Sequence, residues 1–143
     1  MKLKSIGLIV LIFISLSQPF FESIASSKEI HWQAFATGLA RGKFEKKKVF
    51  LHFYAAWCAA CDVMENKTFK DSAVIASLND NFIPIKVDVD RDKETSAMFR
   101  IQLLPDTWFL SGNGEIIGHR PGFIPPEQLK IILKLMMEED TGQ

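Results

Sequence analysis

The sequence predicts an α/β fold, a mixed central sheet with helices on both faces, and three observations carry that expectation. The run Val49–Tyr54 is apolar apart from His52, the composition of a strand covered on both sides. Two helical stretches separate it from a second apolar run at residues 82–90, so these two strands are joined through helices, as parallel strands must be. Two further short strands then flank Ser111-Gly112-Asn113-Gly114, which reads as a hairpin, and a final helix covers the sheet.

Each element has its own local reason. Residues 1–25 stand apart: Lys2 and Lys4 give a basic start, residues 6–16 are apolar except Gly7 and Ser15, and Ser23-Ile24-Ala25 offers small residues where a signal peptidase cuts. A cleaved leader is expected, leaving a domain of residues 26–143 in the periplasm or secreted. The alternative is an uncleaved anchor holding the domain outside the cytoplasm. The apolar stretch is shorter than the ~20 residues of a spanning helix, and Pro19 and Glu22 interrupt its continuation, so membrane contact is expected only through the leader, if it is uncleaved.

From 29 to 42, Ile30, Trp32, Phe35, Ala36, Leu39 and Ala40 recur at roughly helical spacing, an amphipathic helix with its aromatics in the core. Lys46-Lys47-Lys48 is a solvated turn before the central strand. Residues 58–68 start a helix with no proline in the way, and Asp71-Ser72 caps a second that stops at Asn79-Asp80-Asn81. The strand at 82–90 ends in alternating acids. Asp88, Asp90 and Asp92 lack the glycine and terminal glutamate of a calcium loop, so they read as a solvated strand end. A short helix at 93–100 leads through Pro105 to strands at 107–110 and 115–119, and Pro125-Pro126-Glu127 opens the last helix at 128–138.

Composition narrows the function. The 143 residues, 48% hydrophobic and 24% charged, suit one domain with an appendage. Lys+Arg 17 balances Asp+Glu 17 for a net charge of +0, so nothing points to nucleic acid. Chemistry concentrates at Cys58 and Cys61, the only cysteines, where the central strand meets a helix. Unpaired backbone N–H groups and the positive end of the helix dipole favour a thiolate there. A structural disulfide would close so short a loop that it would stabilise little, since that effect grows with loop length. Zinc would need two more ligands, and His31, His52 and His119 are scattered singly. No metal and no cofactor is expected. A redox dithiol, one thiol attacking and the other resolving, suits the spacing.

These residues resemble the thioredoxin superfamily over essentially all of residues 29–137. Trp57-Cys58-Ala59-Ala60-Cys61 matches its active-site motif, Asp88-Val89-Asp90 the end of the next strand, Leu103-Leu104-Pro105 its cis-proline loop, and Gly122 a glycine beside the active site. Tyr54-Ala55-Ala56-Trp57-Cys58 followed by residues 65–71 looks most like the C-terminal periplasmic domain of bacterial thiol:disulfide interchange reductases and small exported thioredoxin-like proteins.

The resemblance implies a thioredoxin-like fold and a division of labour. Cys58 would be the exposed nucleophile and Cys61 the more buried resolving thiol. Pro105, in cis, would lie against the sulfurs, the Leu104 backbone would pair with an extended substrate segment, and Trp57, Pro105 and Gly122 would form an apolar platform. Partners would be proteins bearing disulfides or thiols and a redox protein that recycles the dithiol, with the molecule itself a monomer.

Two departures stand out. His52 occupies the place of the family's buried aspartate and admits two readings, a proton carrier for Cys61 or a core histidine satisfied by a carbonyl. Lys86 matches the lysine beside that aspartate, and near His52 it would disfavour imidazolium. Ala59-Ala60 puts no positive group between the cysteines, so a reducing role is expected over an oxidising one. An oxidant of exported proteins is the alternative within the class. A non-catalytic module holding extended segments in the Leu104-Pro105 groove is the alternative outside it.

Overall fold

In the computed structural model, residues 27–138 are described. The expected leader lies outside them. The order is α1 (Phe35–Glu45), β1 (Val49–Tyr54), α2 (Ala59–Asn66), a 3-10 turn (Thr68–Lys70), α3 (Ser72–Asn81), β2 (Ile83–Asp88), α4 (Lys93–Met98), β3 (Asp106–Leu110), β4 (Ile116–Pro121) and α5 (Pro126–Glu138). The four strands form one mixed sheet in the order β2-β1-β3-β4. β1 runs parallel to β2, pairing Val49 with Ile83 and Tyr54 with Asp88, and antiparallel to β3, while β3 and β4 form the hairpin.

Alternation along the strands splits the core in two. Phe50 and Phe109 face Met64 of α2, Val74 and Leu78 of α3, and Leu129 and Leu133 of α5. Val49, Leu51, Phe53, Ile85 and Leu110 turn to the other face, against Phe35 and Leu39 of α1 and Phe99 and Ile101 after α4. Each such side chain contributes roughly 1.5–3 kcal/mol when fully buried. Val49 to Phe53 are all buried because both faces of β1 are covered, as its composition anticipates.

The helix expected from residue 29 begins only at Phe35. Residues 30–34 instead run alongside β2, where Gln33 N–H donates to the Pro84 carbonyl at 2.8 Å and Lys86 N–H donates back to the Gln33 carbonyl at 3.3 Å. Pro84 is tolerated because its missing N–H falls on this outer edge of the sheet. Trp32, in the extended segment, packs half-buried against the α2/α3/α5 core, and Phe35, at the start of α1, packs half-buried against the opposite one. α1 also runs past Gly42 to Glu45, ending with Lys46 in the left-handed region at φ 54.

The far end of the sheet is tied by backbone contact. A Cβ on Gly112, in the β3–β4 turn, would stand 3.1 Å from the Gly42 carbonyl oxygen and 3.3 Å from that of Lys47. Gly38, in α1, lies so close to the Ile85 side chain that a Cβ would overlap it. At the opposite end of β1, the chain leaves the sheet toward α2.

Candidate active site

Tyr54 ends β1, and the Ala55 carbonyl accepts the Cys58 N–H at 3.2 Å, turning the chain into α2. Cys58 is the N-cap of α2, with extended backbone at φ −85 and ψ 102. Its Sγ accepts the Cys61 N–H at 3.1 Å and its carbonyl the Asp62 N–H at 3.1 Å, so the sulfur satisfies one of the helix's otherwise orphaned donors. Cys58 and Cys61 are joined as a disulfide with Cα atoms 5.2 Å apart. The expected contrast in exposure is slight, since Cys58 is 7% exposed and Cys61 4%. Cys58 is covered because Tyr54, Val89 and Leu104 pack around Ala55 and both cysteines.

Access comes through two clefts that share Cys58. The larger, about 620 Å³, runs between Trp57 on one side and Val89, α4 and residues 100–104 on the other. The smaller, about 150 Å³, is bordered by both cysteines, Tyr54, Asp62, Glu65 and Lys86. Trp57 is 72% exposed, yet its indole N–H donates to Asp90 Oδ2 at 2.8 Å, which holds the ring at the mouth of the larger cleft. The acids at the end of β2 thus each have a structural partner. Asp88 Oδ1 accepts the Asp90 N–H at 3.0 Å, Asp90 anchors Trp57, and Asp92 caps α4 by accepting the Thr95 N–H at 3.0 Å.

Of the expected platform, Trp57 and Leu104 line the larger cleft with Cys58. Pro105 and Gly122 are brought together beside it. The Leu104–Pro105 peptide is cis, and the Pro105 carbonyl accepts the Gly122 N–H at 2.7 Å. Gly122 has φ +90, a conformation that favours glycine.

His52 is 1% exposed. Its ring lies edge-on to Phe69 with centroids 4.8 Å apart, and Nδ1 is 3.3 Å from the Thr107 hydroxyl, a side-chain partner in place of the expected carbonyl. Burial first, and the Lys86 ammonium second, push its pKa down to about 3, so the ring is neutral at pH 7. Lys86 sits opposite it in the β1–β2 register and pairs with Glu65 Oε2 at 2.5 Å, 4.5 Å from the Tyr54 ring centroid. Glu65 borders the smaller cleft with both cysteines, a position that sequence reasoning passed over. The available signal is its spacing, four residues after Cys61 and hence on the same face of α2.

A domain model described as a thioredoxin-like domain matches residues 36–136. The chain belongs to the thioredoxin-like family. A thioredoxin of Mycoplasmoides gallisepticum is 35% identical over 88 residues, which cover 62% of this chain and 83% of that protein. The thiol:disulfide interchange protein DsbD of Vibrio vulnificus is 36% identical over 114 residues, covering 76% of this chain but 18% of DsbD, so the likeness spans under a fifth of the longer protein. Among solved structures, a DsbH oxidoreductase superposes with a TM-score of 0.67 at 22% identity, over 84% of this chain and 93% of that one. A Thermus thermophilus thioredoxin gives 0.69 at 23% identity, over 76% and 88%. These two structures share the thioredoxin-like fold with the mixed sheet described above. With its Cys58–Cys61 disulfide, this thioredoxin-like chain is a thiol–disulfide oxidoreductase.

Proposed function

We propose that this thioredoxin-like protein is exported and reduces disulfides of other exported proteins, with Cys58 attacking and Cys61 resolving. The observation that carries the reading is that Cys58 caps α2, accepts the Cys61 N–H and borders both clefts. In the dithiol form, the Cys58 thiolate attacks one sulfur of a substrate disulfide and the other sulfur departs as a thiolate that takes a proton. The Cys61 thiolate then attacks Cys58 Sγ, the second substrate sulfur leaves, and the Cys58–Cys61 disulfide holds the two electrons' worth of oxidation. A second redox protein returns the pair to the dithiol. Substrate main chain would lie along Leu104, with Trp57, Pro105 and Gly122 around it.

Export is supported by the leader-like residues 1–25. The reducing direction is supported by Ala59 and Ala60, which add no cation to the helix terminus that favours the thiolate. For proton transfer at Cys61, a ring that stays neutral to about pH 3 is a poor acceptor at pH 7, which favours the core reading of His52. We assign that task instead to Glu65, with Lys86 beside it, because both border the cleft that reaches Cys61.

Insulin reduction tests the chemistry. Cys58→Ser should abolish it, and full activity in that variant would sink the reading. In cells, Cys61→Ala should accumulate mixed disulfides on Cys58, recovered from the exported fraction with the leader removed. A reduction potential near ~−120 mV would instead assign the oxidising role. Tight binding of partners that is indifferent to both cysteine substitutions, without exchange, would indicate a binding module.

A further inference from the structure

The larger cleft carries a charge pattern that disulfide exchange alone does not require. Its walls are apolar near Cys58, with Val89, Leu103 and Leu104, but its α4 side presents Lys93 and Arg100, and no carboxylate lines it. Four acids lie on the adjoining chain but off the cleft lining: Asp88 near Arg91, Asp90 holding Trp57, Asp92 capping α4, and the exposed Glu94. Both cations are exposed, and no ion pair within the chain is formed by either among the described residues. Since the chain's formal net charge is +0, these two cations mark the cleft wall and are not part of a generally basic surface.

The backbone gives Arg100 a defined place on that wall. It lies just past α4 with φ 51, and the Ile101 N–H donates back to the Ser96 carbonyl at 3.2 Å, a helix ending that ordinarily places glycine at this position. A side chain there is strained where glycine is not. Lys46 ends α1 in the same conformation far from the cysteines, so the backbone alone assigns no role; what distinguishes Arg100 is that its side chain is a cation on the cleft wall.

We propose that Lys93 and Arg100 are specificity residues that select extended polypeptide segments with a carboxylate close to the reacting cysteine. The occupant is a few residues of a substrate chain. A volume of about 620 Å³ falls within the ~300–1,000 Å³ of sites that enclose small ligands, and it leaves no room for a folded element. The apolar wall takes the residue beside the cysteine and the two cations meet the carboxylate, raising both encounter rate and residence at low salt. This rests on the exchange reading of Cys58, and its test separates the two.

The experiment uses matched peptide disulfides that differ only in one flanking residue, Glu or Lys, exchanged with the dithiol protein at low and high salt. The expected result is a preference of about five-fold for the Glu peptide at low salt, shrinking as salt screens it. The ratio should fall toward one in the Lys93→Gln/Arg100→Gln double variant and invert in Lys93→Glu/Arg100→Glu. Because each variant supplies its own ratio, a change in fold or overall rate does not imitate the effect. Equilibrium binding of the same peptides with serine in place of cysteine gives a second readout. Charge preference in binding without exchange would support the cleft assignment while removing the redox one. Exchange with a ratio that the substitutions do not move would overturn the cleft assignment and leave the redox one standing.

Discussion

Acidification should unfold this protein earlier than its carboxylates alone would dictate, because of His52. The ring is buried, and in the folded chain its pKa is pushed down to about 3 from the ordinary value of 6.5. Between those values the unfolded chain binds a proton that the folded chain refuses, so stability falls as pH falls, and it is fully present only above about 6.5. Each pH unit in that window costs ~1.4 kcal/mol, and integrating from pH 7 to pH 4.5 gives about 2.5 kcal/mol. Against a typical total of ~5–15 kcal/mol this is a large fraction. The assay is urea denaturation of the oxidised protein at pH 7 and pH 4.5, compared with His52→Gln, which stays neutral throughout. Asp71, whose carboxyl is held low by N–H donation from Val74, loses its own contribution only near and below its usual range and does so in both proteins. The wild type should therefore lose about 2.5 kcal/mol more than the variant over this interval. Equal losses would refute the placement of a neutral, enclosed ring at this position.

Three further outcomes follow from named contacts. Gly38→Ala improves intrinsic helix propensity but drives a Cβ into the Ile85 side chain, so the net effect should be a loss of ~1–3 kcal/mol in denaturant unfolding. Asp71→Ala removes the acceptor for the Ala73 and Val74 N–H groups at the start of α3 and should cost ~1 kcal/mol, read by the same method. Glu65→Gln removes the carboxylate assigned to take the Cys61 proton, so mixed-disulfide resolution should slow at neutral pH and depend more steeply on pH. Stopped-flow measurement of mixed-disulfide resolution checks it, and an unmoved profile would remove Glu65 from proton handling.

What the sequence makes legible follows from the range of the forces involved. Val49–Tyr54 is visible to the residue because burial on both faces demands an unbroken apolar run, a purely local signal. The Asp71 cap and the helix after Cys58 are likewise encoded within a few residues. The false start of α1 is different in kind. Residues 30–34 have a helical recurrence of apolar side chains, but their backbone is claimed by Pro84 and Lys86, more than fifty residues along the chain. At the site, the motif residues are readable because chemistry dictates their spacing. The burial of Cys58 and the pairing of Lys86 with Glu65 are not, since they arise from Val89, Leu104 and α2 converging from separate parts of the chain. His52 shows the limit most clearly. One histidine in an apolar run is compatible with a relay or a core ring, and only the packing of Phe69 and Thr107 around it favours the second.

The close approach of Gly112 to the Gly42 and Lys47 carbonyls also bears on how the molecule can be engineered. A tight turn between two strands is ordinarily a permissive place to insert a tag or reporter, because loop tips tolerate added chain. Here the turn is clamped against the end of α1, at the pole of the sheet remote from the cysteines. Splicing sequence into residues 111–114 would pry the hairpin from the end of α1.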